Sequence, residues 1–277
     1  MKLLLVLLAW GASQFFPPDV TAGSLGRLAR QWRDFLLVRG GGNYFVGLGL
    51  IIGIPLLVLL LALHGVHGFW RDALGVPLSV IAVLWVLLDR HAPDAGQRFR
   101  EDWLVREWPA QTDLIPPETG LTLELANARR LLLRERLSDL FSPLFWFLFF
   151  GPMALVAYYL LRITAELGDV QPAGYVARRW QDWADWVPAR VLALSFALAG
   201  NFEQTWHFIS ERLRDPALSN IDLLDGATEA ANPTPVVLEG EITPGAALVL
   251  ALSGVEGLLR RVAAIWLVLL ALHTLWP

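Results

Sequence analysis

The stretch SPLFWFLFFGPMALVAYYLLRI, residues 142–163, decides the fold class. An apolar run of about 17 to 25 residues can cross a bilayer as a helix, because each helical residue rises about 1.5 Å and the hydrocarbon core is about 30 Å thick. Residues 142–163 fit that length. We therefore predict that they form a membrane-spanning helix and that the chain is an all-α membrane protein.

Other apolar runs extend this prediction along the chain. NYFVGLGLIIGIPLLVLLLALHGV and RVAAIWLVLLALHTLW are equally clear, and the shorter LGVPLSVIAVLWVLL can pair with the first of them as a helical hairpin. The N-terminal run predicts a short span or half-buried anchor, and a further candidate is interrupted by Pro188 and Gly200. We predict a polytopic helical membrane protein with about 5–6 transmembrane or membrane-embedded helices in one integral-membrane domain. The predicted spans are residues 3–16, 43–66, 74–88, 142–163, 186–202 and 261–276.

Composition supports a membrane protein and excludes several kinds of site. The chain is 55% hydrophobic and 17% charged, whereas an ordinary soluble domain has roughly 25% charged residues. The absence of Cys excludes disulfides, thiolate metal ligands and catalytic cysteines. A formal net charge of -4 argues against a nucleic-acid partner, which needs a clustered basic face. We therefore expect the lipid bilayer as a partner, and no metal or cofactor is required by the sequence.

Two larger soluble connectors separate the predicted spans, at residues 89–141 and 203–256. After the turn PPETG, the string LTLELANARRLLLRERLSDLF sets apolar residues among paired charges, a pattern typical of an amphipathic helix. The concentration of Arg in this connector predicts that the helix lies on the cytoplasmic side. The string DGATEAANPTPVVLEGEITPG in the second connector is turn-rich and acidic and predicts a mobile loop.

A cluster of charges on the amphipathic helix is the first candidate ligand site. It consists of Arg129, Arg130, Arg134, Glu135 and Arg136. One interpretation is a solvated helix face whose Arg residues touch anionic lipid headgroups. The alternative is a binding surface for a phosphate or carboxylate, since the guanidinium group presents a planar fork of donors, and for this we single out Arg130 and Arg134.

The string DWADWVPAR before the predicted span 186–202 is the second candidate. Trp183 and Trp186 are three positions apart, so on one helix both rings would lie on one face at a membrane interface. Pro188 is tolerated in a first helical turn because its missing N–H costs nothing there. Asp182 and Asp185 would lie near a helix start, where negative charge is favourable. Arg190 falls within the apolar stretch, and a buried Arg needs a carboxylate partner, for which Asp182, Asp185 and Glu203 are the candidates. This string therefore predicts either a bilayer edge or a polar site.

These strings carry a resemblance to a known family. SPLFWFLFFGPMALVAYYLLR, followed by DWVPARVLALSFALAGNF, resembles the paired signature of the AmpE/CobD family of bacterial inner-membrane proteins. The resemblance covers the spans from about residue 120 to the C-terminus and, more loosely, the N-terminal half. It implies a multi-pass protein of the bacterial inner membrane. The positions that match the shared pattern are Pro143, Trp146, Asp182, Trp186, Pro188 and Arg190.

The family has two branches with different functions. One is the adenosylcobinamide-phosphate synthase of cobalamin biosynthesis, an amide-forming enzyme whose pattern has paired aspartates and an asparagine before WIPAR. Here those positions read Gln181, Asp182 and Asp185, and the SRDT-like string of the synthase is missing. FFGPMAL and ALAGNF resemble the AmpE branch, a regulatory or sensory component linked to beta-lactamase induction and peptidoglycan recycling.

The branch resemblance sets the order of the functional hypotheses. We expect a regulatory protein that is not an enzyme and whose connectors meet a regulatory protein partner or a cell-wall fragment. The first alternative is a synthase-like amide-forming enzyme. The second is a small transporter of an amphiphilic ligand, for which the sequence shows no internal symmetry. No catalytic residue is assigned.

Overall fold

The computed structural model describes residues 22–39, 44–64, 118–168, 171–215, 217–233 and 244–275. Within those ranges every regular element is helical, which confirms the all-α prediction. The predicted spans 3–16 and 74–88 lie outside the described residues. In the described part of the chain, no helix has both the length and the apolar character that crossing a membrane demands.

The helices follow one another in a simple order, with a five-residue π-helical segment, Leu137–Phe141, between the third and the fourth. In the described ranges they are α1 (Ala22–Arg39), α2 (Tyr44–His64), α3 (Glu118–Arg136), α4 (Ser142–Phe150), α5 (Pro152–Ala165), α6 (Pro172–Ala184), α7 (Trp186–Ala199), α8 (Phe202–Arg212), α9 (Asn220–Ala231) and α10 (Pro244–Leu275). The chain divides into two compact units. The first comprises residues 1–91, 138–186 and 270–277, and the second residues 92–137 and 187–269. The prediction of one integral-membrane domain stays a prediction.

The first unit is organised around α5, which packs against α2, α4 and α6. Buried Leu48, Ala165 and Ala177 form a small cluster that joins α2, α5 and α6. Two small residues in this cluster allow the helices to approach closely. Arg33 of α1 donates a 2.6 Å hydrogen bond from Nη1 to the Ile163 carbonyl oxygen, which ties α1 to the end of α5.

The predicted span 142–163 is two helices rather than one. Gly151 separates α4 from α5 and has φ 80°, a left-handed conformation that glycine adopts without the cost a side chain would add. Pro152 follows as the first residue of α5, where its missing N–H is not needed. The Gly151 N–H still donates to the Phe147 carbonyl at 2.9 Å, so α4 ends with its last turn intact. Hydropathy alone does not register this break, since both flanking segments are apolar.

The second unit contains α3, α8, α9, most of α7 and most of α10. Side-chain caps begin two of its helices: the Asn201 side chain accepts from the Gln204 N–H, and Ser219 Oγ accepts from the Asp222 N–H. The Asn201 N–H donates to the Ala231 carbonyl at 3.0 Å, which joins the start of α8 to the end of α9.

Part of the prediction for the second connector is wrong. The string DGATEAANPTPVVLEGEITPG was expected to be a mobile loop, but its first residues, 225–231, belong to α9. The helix forms because Leu223, Leu224 and Ala227 give it an apolar face, and all three are buried. The amphipathic helix expected after PPETG is present as α3.

Candidate functional site

The central polar contact of the first unit joins Tyr158 and Asp185. Asp185 occupies the single residue between α6 and α7, and Tyr158 lies in the middle of α5. The Tyr158 hydroxyl donates a 2.7 Å hydrogen bond to Asp185 Oδ1. Both residues are buried, with relative exposures of 3% and 6%. A buried carboxyl group at a helix junction therefore has a specific partner on a neighbouring helix.

Burial is the main influence on the protonation of Asp185. Removal from water raises the pKa of this carboxyl from 3.8 to about 6, and the charge of Asp182 raises it as well. The Ser142 and Tyr158 hydroxyls and the Arg162 guanidinium lower the pKa but do not offset burial. The buried Ser142 Oγ faces this group without reaching normal hydrogen-bond geometry among the described residues. Asp185 can therefore change its proton occupancy near neutral pH.

A buried ion pair lies in the same unit. Arg162 of α5 contacts Asp139 of the π-helical segment at 2.9 Å and Glu166 at 3.9 Å. Arg162 is buried, whereas Asp139 is partly exposed. The pair fixes the orientation of a cationic side chain one helical turn after Tyr158. Tyr158, Arg162 and Asp139 were not among the predicted site residues; the signal that could have found them is a Tyr and an Arg four positions apart in an apolar run.

The remaining predicted residues of the first unit surround this region with different exposures. Pro143 is buried in the first turn of α4, and Asp182 is exposed in the last turn of α6. The Trp146 ring packs edge-on against Phe145 at 5.7 Å between centroids, and its buried indole N–H has no hydrogen-bond partner in the described ranges. Asp182 thus lies in the last turn of α6, whereas Asp185 directly precedes the first residue of α7 and is near a helix start, as expected.

The prediction that Trp183 and Trp186 lie on one helix is wrong. Trp183 and Trp186 were expected three positions apart on one helix, with both rings on one face. Trp183 belongs to α6 and Trp186 begins α7, because the helix is interrupted at Asp185. Asp185, at this interruption, accepts the hydrogen bond of Tyr158 from α5.

In the second unit, Arg190 holds the turn between α8 and α9. Its Nε donates to the Leu213 carbonyl at 2.9 Å, its Nη2 to the Asp215 carbonyl at 3.0 Å, and its Nη1 to Asn220 Oδ1 at 3.0 Å. We predicted a carboxylate partner for this buried Arg. These three bonds go to two main-chain carbonyls and a side-chain amide, and the carboxylate that acts electrostatically on Arg190 is that of Asp215. Pro188 is buried in the first turn of α7, as expected.

The Arg cluster on α3 is paired with acidic residues of α9. Arg129 is buried and bonds to Asp225 at 2.5 Å and to Glu229. Burial alone lowers the pKa of Arg129, but the hydrogen bonds and charges of Asp225 and Glu229 more than offset it, so the pKa is raised. The guanidinium group is therefore firmly cationic.

The two predicted ligand-binding Arg residues of α3 differ from each other. Arg130 Nε contacts Asp225 Oδ2 and its Nη2 contacts Asp222 Oδ1, both at 3.1 Å. Arg134 is exposed and has no hydrogen-bond or ion-pair partner within the described ranges. Arg130 therefore serves the α3–α9 contact, and Arg134 is the better placed of the two to meet a ligand.

The nine predicted residues are shared between the two units. Pro143, Trp146, Asp182, Asp185 and Trp186 belong to the first, and Arg130, Arg134, Pro188 and Arg190 belong to the second. Among the described residues, no group of three His, Asp or Glu side chains is arranged to hold a metal ion. Comparisons with protein families, curated proteins and solved structures find no match for this chain.

Proposed function

We propose that the chain is a regulatory or sensory protein of the bacterial inner membrane, of the AmpE type, linked to beta-lactamase induction and peptidoglycan recycling. The membrane location is supported by the apolar runs of the sequence and by apolar side chains that remain exposed. Leu57, Val58, Phe149, Phe150, Leu198 and Val268 are all more than half exposed. Large apolar side chains that are exposed in this way cost little free energy when they face lipid instead of water.

One observation carries the regulatory reading: the polar groups of DWVPAR bond to neighbouring helices of their own units. Asp185 accepts from Tyr158, and Arg190 is committed to the turn after α8. An amide-forming enzyme needs such groups to reach a substrate carboxylate and an amine. Side chains that already bond within their unit instead fix helix ends, which is what a sensing scaffold requires.

The amide-forming enzyme stays the alternative because of Asp185. A buried carboxyl group whose pKa is raised to about 6 is the kind of group that transfers protons in catalysis near neutral pH. Such groups also occur in structural networks. The regulatory protein and the amide-forming enzyme therefore differ in whether Asp185 contacts a substrate. A measurement of turnover distinguishes the two.

The experiment uses the full chain in lipid nanodiscs with ATP, magnesium, adenosylcobyric acid and aminopropanol phosphate. An authentic synthase under the same conditions is the positive control. We expect no joined product from this chain while the control is active. Product that disappears in Asp185→Asn, with the folded amount unchanged, would establish the enzyme instead.

A further inference from the structure

An aromatic cleft on the surface of the first unit has no role in the proposal above. It has a volume of about 580 Å³ and is formed by one residue of α2 and five of α6. The residues that line it are Phe45, Tyr175, Val176, Arg179, Trp180 and Trp183. We call this the aromatic cleft.

The packing of α2 on α6 builds this cleft. Leu48 and Ala177 belong to one buried cluster, with Val176 packed against it, so the two helices are in contact at this level. Phe45 lies about one turn before Leu48. On α6, Tyr175, Arg179 and Trp183 recur every fourth residue, which places them on one helix face.

The rings that line the aromatic cleft are exposed instead of being packed. Phe45, Tyr175, Trp180 and Trp183 are all more than half exposed, and Trp183 reaches 69%. Exposed Trp and Tyr rings favour the headgroup level of a bilayer, because one end of the ring is apolar and the other can donate a hydrogen bond.

Arg179 supplies an available cation at the same place. Its side chain is exposed, and no hydrogen-bond or ion-pair partner for it lies in the described ranges. Asp182 is on the same helix but does not line the cleft. A guanidinium fork that no carboxylate of the described residues occupies is complementary to a phosphate group, to which it can donate two parallel hydrogen bonds.

The exposed rings of the aromatic cleft point to the source of that phosphate. Trp and Tyr rings beside a guanidinium group are typical of the headgroup level of a bilayer, where the phosphate groups belong to lipids. We propose that the aromatic cleft binds the headgroup of an anionic phospholipid, with Arg179 donating to the phosphate and the rings beside the glycerol and upper acyl chains. This rests on the proposed membrane location.

Native mass spectrometry of the full chain in detergent tests the site. Phosphatidylglycerol and phosphatidylcholine are titrated separately, and soluble glycerol phosphate is added as a competitor. We expect tighter binding of phosphatidylglycerol, and a loss of about tenfold in its affinity in Arg179→Gln, as the removal of a bidentate charged contact implies. Arg179→Lys keeps the charge without the fork and should lie in between.

The matched control is Arg214→Gln, which removes another exposed Arg that has no partner in the described ranges. It should bind phosphatidylglycerol like the wild type. Equal affinities for Arg179→Gln and the wild type would overturn the proposal, and so would an equal loss in the Arg214→Gln control. Competition by glycerol phosphate at the concentration of the lipid would also overturn it, because the occupant would then be a soluble phosphate.

A separate measurement keeps this test distinct from the membrane location itself. Alkaline carbonate extraction of cell membranes reports whether the chain is integral. If the chain stays in the membrane and Arg179→Gln binds lipid normally, the cleft proposal alone fails. If carbonate extracts the chain, the proposed membrane location fails.

Discussion

The Tyr158 hydroxyl and the Asp185 carboxyl group share a buried 2.7 Å hydrogen bond that joins the middle of α5 to the junction of α6 and α7. Asp185 is the single residue between the end of α6 and the start of α7. The same burial that makes the bond specific raises the cost of a negative charge on Asp185. Helix packing in the first unit is therefore linked to the proton occupancy of one side chain.

Stability of the first unit should fall as pH rises between about 4 and about 6. The pKa of Asp185 is about 6 in the folded chain against an ordinary value of 3.8, so within this window the unfolded chain releases its proton first. The free energy of unfolding falls by up to about 3 kcal/mol across this pH window and does not change further above it. Denaturant unfolding in detergent micelles at several pH values measures the slope.

Asp185→Asn is the control for that slope. The amide does not ionise, so the contribution from position 185 should vanish. Tyr158→Phe removes a hydrogen bond that lowers the pKa of Asp185 in the folded chain, so the upper end of the window should move to higher pH while the lower end stays in place. An unchanged slope in Asp185→Asn would show that other groups produce it.

Removal of one partner from the buried ion pair between Arg129 of α3 and Asp225 of α9 should destabilise the second unit. Arg129→Leu leaves the buried Asp225 without its main partner and should cost about 3 kcal/mol of unfolding free energy. Arg134→Leu changes an exposed Arg on the same helix, about one and a half turns after Arg129, and should stay within about 0.5 kcal/mol. The measurement is denaturant unfolding of both variants; equal effects would contradict the assigned pairing.

Arg190 should stabilise the turn after α8 in particular. Arg190→Ala removes three hydrogen bonds and leaves the Leu213 and Asp215 carbonyls without this donor, at a cost of about 2 to 3 kcal/mol. Arg190→Lys should recover less than half of this, because a single ammonium cannot reach all three acceptors. Hydrogen exchange of residues 213–222 should accelerate in both variants, and unchanged exchange would contradict the assigned role.

Gly226 of α9 should be intolerant of a side chain. A Cβ there would overlap the Phe208 ring, so Gly226→Ala should destabilise the chain by about 1 to 3 kcal/mol despite the higher helix propensity of Ala. Gly257 of α10 has open space around the same position. Gly257→Ala should therefore raise stability by up to about 1 kcal/mol. The measurement is the Tm of Gly226→Ala and of Gly257→Ala. Similar changes of Tm in both variants would contradict the close packing of α8 on α9.

Much of the helical architecture could be predicted from sequence because apolar runs and amphipathic spacing are local. The run at 43–66 is the helix α2, and the pattern after PPETG is α3. The break at Gly151 depends on a backbone conformation that hydropathy does not encode. The helix α9 was missed because turn-forming and acidic residues hide the buried face made by Leu223, Leu224 and Ala227.

The candidate site was predicted only in part. Asp185 and Arg190 were singled out because charged groups next to apolar runs are costly, and both are buried. Their partners could not be predicted, since Tyr158 lies 27 positions before Asp185 and the acceptors of Arg190 lie 23 to 30 positions after it. Contacts at such separations depend on how helices pack, which a single sequence does not specify.

Deletion of the gene in its native organism tests the proposed function most directly. Beta-lactamase induction by a beta-lactam and the pool of muropeptides are measured together, with a plasmid copy of the wild-type gene as the control for restoration. The proposed regulatory function predicts that deletion alters induction or the muropeptide pool and that the plasmid copy restores it. Induction and a muropeptide pool that both stay at wild-type levels would contradict it.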